Sequence, residues 1–528
     1  EVTVLKAGAT VVRQGKWKLI RHQGSGGFTR NANTGAARGQ LYDLDADLGE
    51  TDNVYGERPE IVAQLSQHAA RAHPTNVIVI LADDMGYGDS SVYDGWIQTP
   101  GMERMAKEGL TFTDFHSSGV VCSPTRAGLL TGRYQQRAGI PGVVNADPAH
   151  PAHKLGLRRE EFTFAEGLRA AGYRTALYGK WHVGYDVQFN PVHHGFDEFC
   201  GFVSGNIDYQ SHLDRMNTPD WWHGTKLVTR KGYLTELITQ DAVRFIGENR
   251  DQPFCLYVAH GAVHAPIQAP DSAAVRGEDR AQQETVKLMM KSLDDSVTAI
   301  LDAVRKNGIA GSTLVLFFSD NGGAAHMRCD PLRGKKGSVW EGGHRVPAIA
   351  WWPGTIAKGS KTDQLCISLD VMPTMLELAG LEQPTERKLD GQSLVPLLRE
   401  RQELGHRRLF WNGIAMRDGT WKLVVQKKRP LLFDLATDIA EQHNVADQHP
   451  KRVQSMLAAL AEWSTASRAS GGQRTKLGLG LLRARLLPGR RSTPCQTTWK
   501  PRRSGSLGTV KANGTMPLAG VTAMSTTT

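Results

Sequence analysis

Four apolar runs, each followed at once by a group of polar residues, restrict the fold of this chain more than any other feature. They are NVIVIL (76–81), RTALY (174–178), PFCLYVA (253–259) and STLVLFF (312–318). Apolar beyond their first one or two residues, they read as strands buried on both faces, the pattern of parallel strands covered by helices on either side. Helical periodicity over 161–171 and 284–306 supplies the crossovers. The expected fold class is therefore α/β with a mostly parallel central sheet. In such sheets ligands bind beyond the carboxyl ends of the strands. Here the four exits carry Asp83 and Asp84, then Lys180 and His182 (GKWH), then His260 and His264 (HGAVHAP), then Asp320 and Asn321 (SDNGG).

Adjacent carboxylates in a cleft ionise together only beside positive charge. A divalent metal meets that need, and Asp83, Asp84, Asp320 and Asn321 form a set of hard oxygen donors that favours Ca²⁺, with Mg²⁺ as the alternative, over zinc. Taken singly, either pair is an ordinary loop-capping turn; it is their joint position after two buried strands that points to metal. Lys180, His182, His264 and Lys336 (in RGKKGSVWEGG) would add the positive charge that a tetrahedral oxyanion substrate requires.

A thiol stands where a helix begins. In VVCSPTRAGLLTGRY (120–134), Pro124 suits a first helical turn, which puts Cys122 at or just before the N-terminus, where backbone N–H groups and the helix dipole favour an anion. Such a thiol is lowered in pKa and nucleophilic in its own right. The polar residues that follow it weaken the alternative of a buried structural cysteine.

Cys122-Ser123-Pro124-Thr125-Arg126 followed by AGLLTGRY resembles the C-x-P-x-R signature of the type I sulfatases, arylsulfatase-like members of the alkaline phosphatase superfamily. VIVILADDMGYGD, YGKWHVG, SDNGG, KGSVWEGGHRVPAIAWWPG and DGQSLVPLL join it in family order, and the resemblance covers about residues 75–463. It implies an alkaline-phosphatase-like α/β sandwich with a smaller C-terminal α+β subdomain built on an antiparallel sheet. It implies conversion of Cys122 to Cα-formylglycine by a maturation enzyme, with Asp83, Asp84, Asp320, Asn321 and the modified Cys122 as metal ligands. Lys180, His182, His264 and Lys336 match substrate and catalytic positions, and Arg126 the residue that holds the formylglycine hydrate. His260 matches no family position. The implied reaction is hydrolysis of a sulfate monoester through the hydrate and a covalent sulfo-enzyme. In it His182 acts as the base that releases sulfate, and His264 and Lys336 assist the leaving oxygen. Family habit places such an enzyme in the periplasm or outside the cell.

The chain contains one internal repeat. RQGKWKLI (13–20), LYDLDADLGETDNV (41–54) and PEIVAQL (59–65) return as RDGTWKLV (417–424), LFDLATDIAEQHNV (432–445) and PKRVQSML (450–457). Each copy reads as strand, hairpin return and amphipathic helix. The expected organisation is a segment resembling a sulfatase C-terminal subdomain over 1–73, left from a fusion or a reading frame, a catalytic domain over 74–385, a C-terminal subdomain over 386–464 and a disordered basic tail over 465–528.

That tail explains the net charge of +10. Of the 63 Lys and Arg, eleven follow Thr465 with no Asp or Glu among them, leaving 52 against 53 acidic residues in the remainder. A specific nucleic-acid partner is not expected, and no run of about 18 apolar residues offers a membrane span. The six cysteines show no CxxC spacing. Two rival readings stand beside the sulfatase: a formylglycine-dependent phosphate or phosphonate ester hydrolase, and a non-catalytic polyanion-binding protein. The expected substrate is a sulfated small molecule or carbohydrate. Trp221 and Trp222 (PDWWHG) would either pack on sugar faces or simply fill a long insertion.

Overall fold

The computed structural model describes residues 2–4, 10–20, 39–62, 64–65, 75–273 and 279–470. Five parallel strands, β1 (Asn76–Ala82), β2 (Arg174–Lys180), β3 (Glu198–Phe202), β4 (Phe254–Ala259) and β5 (Thr313–Ser319), form the centre of a ten-stranded sheet in the order β3-β2-β4-β1-β5. Antiparallel strands extend both edges: Trp222–His223 beside β3 and Ala348–Trp351 beside β5. Alternation along β1 explains its unbroken apolar sequence. Val77, Val79 and Leu81 enter one hydrophobic layer, and Ile78, Ile80 and Ala82 the other.

Helices cover both layers. Pro100–Glu108, Leu234–Glu248 and the 28-residue Asp279–Lys306 pack on one face. On the other lie α1 (Cys122–Thr131), Phe164–Ala170 and Val371–Leu378. The helix expected over 161–171 starts at Phe164 because Thr163 and Glu166 close a reciprocal capping box. Glu161 lies before that cap and bonds Arg133 Nη1 at 2.6 Å.

A close backbone approach fixes the end of β2. Gly179 has φ +109°, and a Cβ there would fall 1.9 Å from the Ala259 carbonyl oxygen at the end of β4. Only glycine lets these two strands deliver Lys180 and the His260–His264 segment side by side.

The C-terminal subdomain is the expected antiparallel sheet, Arg408–Trp411, Ala415–Asp418, Trp421–Gln426 and Arg429–Asp434, under the helix Pro450–Ser470. The helix continues beyond residue 464, where the tail was expected to begin; residues 471–528, with Cys495, lie outside the described residues. The N-terminal segment forms its own four-stranded sheet, Val2–Val4, Thr10–Gln14, Trp17–Ile20 and Gln40–Asp43. Its hydrogen bonds reproduce those of the second copy. Leu44 N donates to Lys16 O (2.7 Å) as Leu435 N does to Thr420 O (2.9 Å). Asn53 Oδ1 accepts from Leu41 N (3.0 Å) as Asn444 Oδ1 does from Leu432 N (2.9 Å).

Candidate active site

The four strand exits and the start of α1 meet at one place. Asp83 and Asp84 follow β1, Lys180 ends β2, His264 lies beyond β4, Asp320 and Asn321 follow β5, and Cys122 opens α1. All ten residues of α1 are buried, so the helix is held by packing, and no side chain caps its N-terminus, where Cys122 stands. Cys122 Sγ lies 3.7 Å from Asp83 Oδ1 and 3.4 Å from Lys336 Nζ. Burial alone would raise its pKa, but Lys180 and Lys336 draw the thiol down to about 7.

Each carboxylate meets a cation. Lys180 Nζ donates to Asp83 Oδ2 at 2.6 Å, and Lys336 Nζ lies 2.6 Å from Asp84 Oδ1. Arg126, one turn along α1 from Cys122, bonds Asp320 Oδ2 through Nη2 (2.8 Å) and Nε (3.1 Å) and donates Nη1 to the Lys180 carbonyl. Its guanidinium thus organises the acids and the end of β2, with Asp83 Oδ1 3.9 Å away. Burial outweighs Lys180 at Asp83 and leaves its carboxyl above the usual range.

The site brings together groups that could hold a metal ion, though with a thiol and an imidazole beside the two expected acids and without Asp320, which Arg126 engages instead. Ligand atoms of Asp83, Asp84, Cys122 and His264 lie within 4.8 Å of one another. Asn321 Nδ2 donates to Asp84 Oδ1 (2.7 Å), yet Asn321 Oδ1 is buried with no hydrogen-bond partner among the described residues. A buried carbonyl oxygen without a partner costs about 1–3 kcal/mol, a cost that ligation of a cation removes. Asp84 has φ +64° and His182 φ +57°, a left-handed conformation that non-glycine residues adopt at functional positions.

The two histidines at the site differ in charge. His182 is buried beside Lys180 and Arg126, so its pKa lies well below the ordinary value and the ring is neutral. Its Nε2 donates to the Val144 carbonyl (3.0 Å), which leaves Nδ1 as an unprotonated atom with no partner among the described residues. Burial opposes charge on His264 too, but Asp84 and Asp83 face it, with Nε2 3.5 Å from Asp84 Oδ2, and push it up to about 9. One neutral base and one charged acid therefore line the same cavity, of about 170 Å³, with Cys122, Lys336, Tyr185, Asn206 and Arg215.

Other candidates fall elsewhere. His260 is fully buried and its Nε2 lies 3.0 Å from Ser296 Oγ, a packing position. Trp221 is 1% exposed and packed against His212, so it fills the insertion and offers no face to a sugar. Trp222 donates its indole N–H to Asp220.

Sequence reasoning missed a second polar cluster, buried between the catalytic sheet and the C-terminal sheet. Glu341 accepts from Arg417 Nη1 and Lys422 Nζ, each at 2.8 Å, and Arg417 Nη2 also bonds Asp114 Oδ2 at 2.9 Å. His116 bridges Asp114 (2.8 Å) and His344 (2.9 Å), and His344 stacks on Trp411. The acids and histidines resemble a metal site, but Lys422 Nζ already lies among them, 2.7 Å from His344 Nε2. The only hint in the sequence was Glu341, His344 and Arg345 set within a stretch otherwise of glycine and apolar residues, VWEGGHRVPAIAWW.

Comparison with known proteins agrees with this geometry. A family model described as Sulfatase matches residues 75–381, and one described as N-sulphoglucosamine sulphohydrolase, C-terminal, matches 335–465. The N-acetylgalactosamine-6-sulfatase of Sus scrofa is 38% identical over 349 residues, covering 62% of this chain and 66% of that protein. This chain thus spans about two thirds of the length of that relative. Arylsulfatase A of Homo sapiens is 32% identical over 474 residues, covering 76% of this chain and 90% of the relative. Among solved structures, that of Ps i-CgsB in complex with k-i-k-neocarrahexaose superposes with a TM-score of 0.69 at 28% identity, covering 74% of this chain and 93% of that one.

Proposed function

The chain belongs to the sulfatase family, and from that premise we propose that it hydrolyses sulfate monoesters, of sulfated carbohydrates or aryl sulfates, at Cys122. The observation that carries the reading is the position of Cys122 Sγ at the buried start of α1, 3.4 Å from Lys336 and in one cavity with neutral His182 and protonated His264.

Conversion of Cys122 to formylglycine by a maturation enzyme, followed by addition of water to that aldehyde, would supply two hydroxyls on one carbon, the first a nucleophile for sulfur and the second a route for releasing sulfate. Asp83, Asp84, Asp320 and Asn321 would hold Ca²⁺, or Mg²⁺ in its place, which supplies Lewis acidity toward a sulfate oxygen. Lys180 and Lys336 set positive charge around a tetrahedral oxyanion. His264 donates its proton to the leaving oxygen, and His182, through Nδ1, takes the proton whose loss frees the product. Arg126 keeps the acids in register. No helix among the described residues is long and apolar enough to cross a membrane, and we place the enzyme in the periplasm or outside the cell on family grounds. Residues 1–73 duplicate the C-terminal subdomain and take no part in the chemistry.

The test joins two measurements. Mass spectrometry of the tryptic peptide 108–126 should find an aldehyde at Cys122 in protein from a host that matures sulfatases. The same preparation should release sulfate from an aryl sulfate far faster than phosphate from the matching aryl phosphate. A thiol at Cys122, or a preference for the phosphate, would overturn the reading.

A further inference from the structure

The cavity around Cys122 is smaller than the roughly 300–1,000 Å³ pockets that enclose whole small molecules. At about 170 Å³ it accommodates the ester group, and the remainder of a substrate must leave through the mouth. What waits there is a cation. Arg215 lines the cavity and is exposed, yet makes no hydrogen bond or ion pair with any described residue. Lys336 in the same wall is by contrast committed to Asp84.

The loop that presents Arg215 is built rather than loose. Asp214 Oδ1 accepts from Met216 N (2.8 Å) and Thr218 N (2.9 Å), and Asp214 N donates to Thr218 O (2.9 Å), closing a turn around residue 215. Isolated bridges pair Ile207 with Asp214 and Leu213 with Pro219. At its base Asp220 takes the N–H groups of Val203 (3.1 Å) and Ser204 (2.9 Å). Neighbouring Asn206 anchors its amide nitrogen on the Ala265 carbonyl (2.9 Å). An unpaired guanidinium on a fixed backbone turn, opening on a cavity sized for one ester group, is placed to meet another anion, and its planar donors suit the two oxygens of a carboxylate or sulfate.

Resting on the sulfatase reading, we propose that Arg215 is a specificity residue: it recognises a second anionic group on the substrate, a carboxylate or a second sulfate borne by the saccharide next to the ester that is cleaved. Of the two readings open for this insertion, Trp221 takes the packing one, and the contact with substrate falls to the ionic group.

The test compares three disaccharides with the same scissile sulfate ester, one carrying a neighbouring uronate, one a second sulfate and one no further charge. Wild-type, Arg215→Ala and Arg215→Lys proteins, each with Cys122 matured, are assayed at low and high salt. In Arg215→Ala the kcat/KM ratio of anionic to neutral substrate should fall roughly 10- to 100-fold, the range for a charge-assisted hydrogen bond, mainly through KM. Arg215→Lys should retain part of the preference, and high salt should weaken it in the wild type. The arm with the larger fall identifies carboxylate or sulfate. A ratio unchanged in Arg215→Ala, or an equal loss on all three substrates, overturns the proposal and leaves the sulfatase reading intact. A matured wild-type protein that cleaves no sulfate ester overturns both.

Discussion

Glu341→Gln should destabilise this protein more than any surface charge change, because its carboxylate is fully buried and shared by two cations at 2.8 Å, Arg417 and Lys422, with Arg345 a third at 3.5 Å. At an effective dielectric of 20, each contact at 2.8 Å, to Arg417 and to Lys422, is worth about 6 kcal/mol of Coulomb energy. Desolvation of the three groups offsets most of this, several kcal/mol for each ion. The substitution removes the attraction but leaves Arg417 and Lys422 buried, so the net cost should be about 3–5 kcal/mol. At about 2.1 cal/mol/K per residue, a folded body of roughly 400 residues loses about 4–6 °C in melting temperature for that cost. Scans of a protein this large are partly kinetic, so variants must be compared at one heating rate. The double variant Glu341→Gln/Lys422→Met removes one stranded cation and should recover part of the loss. A shift below about 1 °C for Glu341→Gln, or losses in the double variant that simply add, would refute the claim that this cluster latches the two sheets together.

Glu441 beside that cluster is raised by burial to about 7, from 4.5. A raised acid takes up a proton on folding, so its contribution to stability is complete below pH 4.5, falls as pH rises and levels off above about 7. Melting measured across that window should show the slope, and Glu441→Gln should flatten it; an unchanged slope would assign it to other groups. Dialysis against a chelator should abolish sulfate release, and added Ca²⁺ or Mg²⁺ should restore it, whereas full activity in excess chelator would exclude the metal reading. His182→Ala should lower kcat by about 10²–10⁴-fold while a first turnover survives as a burst in rapid-mix kinetics. Loss of the burst as well would place His182 in the first step.

Legibility followed distance along the chain. Strand cores and their polar exits are written in contiguous residues, so the parallel sheet and the meeting of Asp83, Lys180, His264 and Asp320 at its carboxyl edge could be anticipated, whereas it was the resemblance to the sulfatases that joined Cys122 to them. The paired hairpin copies were equally readable, because the residues that set their turns recur at the same spacing. The latch was not readable: Arg417 lies 303 positions from Asp114 and 76 from Glu341, and no local period marks such pairs. The fate of Trp221 was undecided for a related reason. An aromatic residue in a loop has the same sequence whether it faces solvent or core.

By itself, then, the sequence determined the elements and the chemistry each one carries, since hydrophobic period and strand-end polarity are local properties. Only the tertiary structure decided which histidine is neutral and which charged, that Asn321 Oδ1 is left unpartnered, that Trp221 is packed away, and that Arg215 opens on the cavity. Each of these depends on burial and on charges brought together from distant segments, and desolvation and Coulomb energy exist only once the chain has folded.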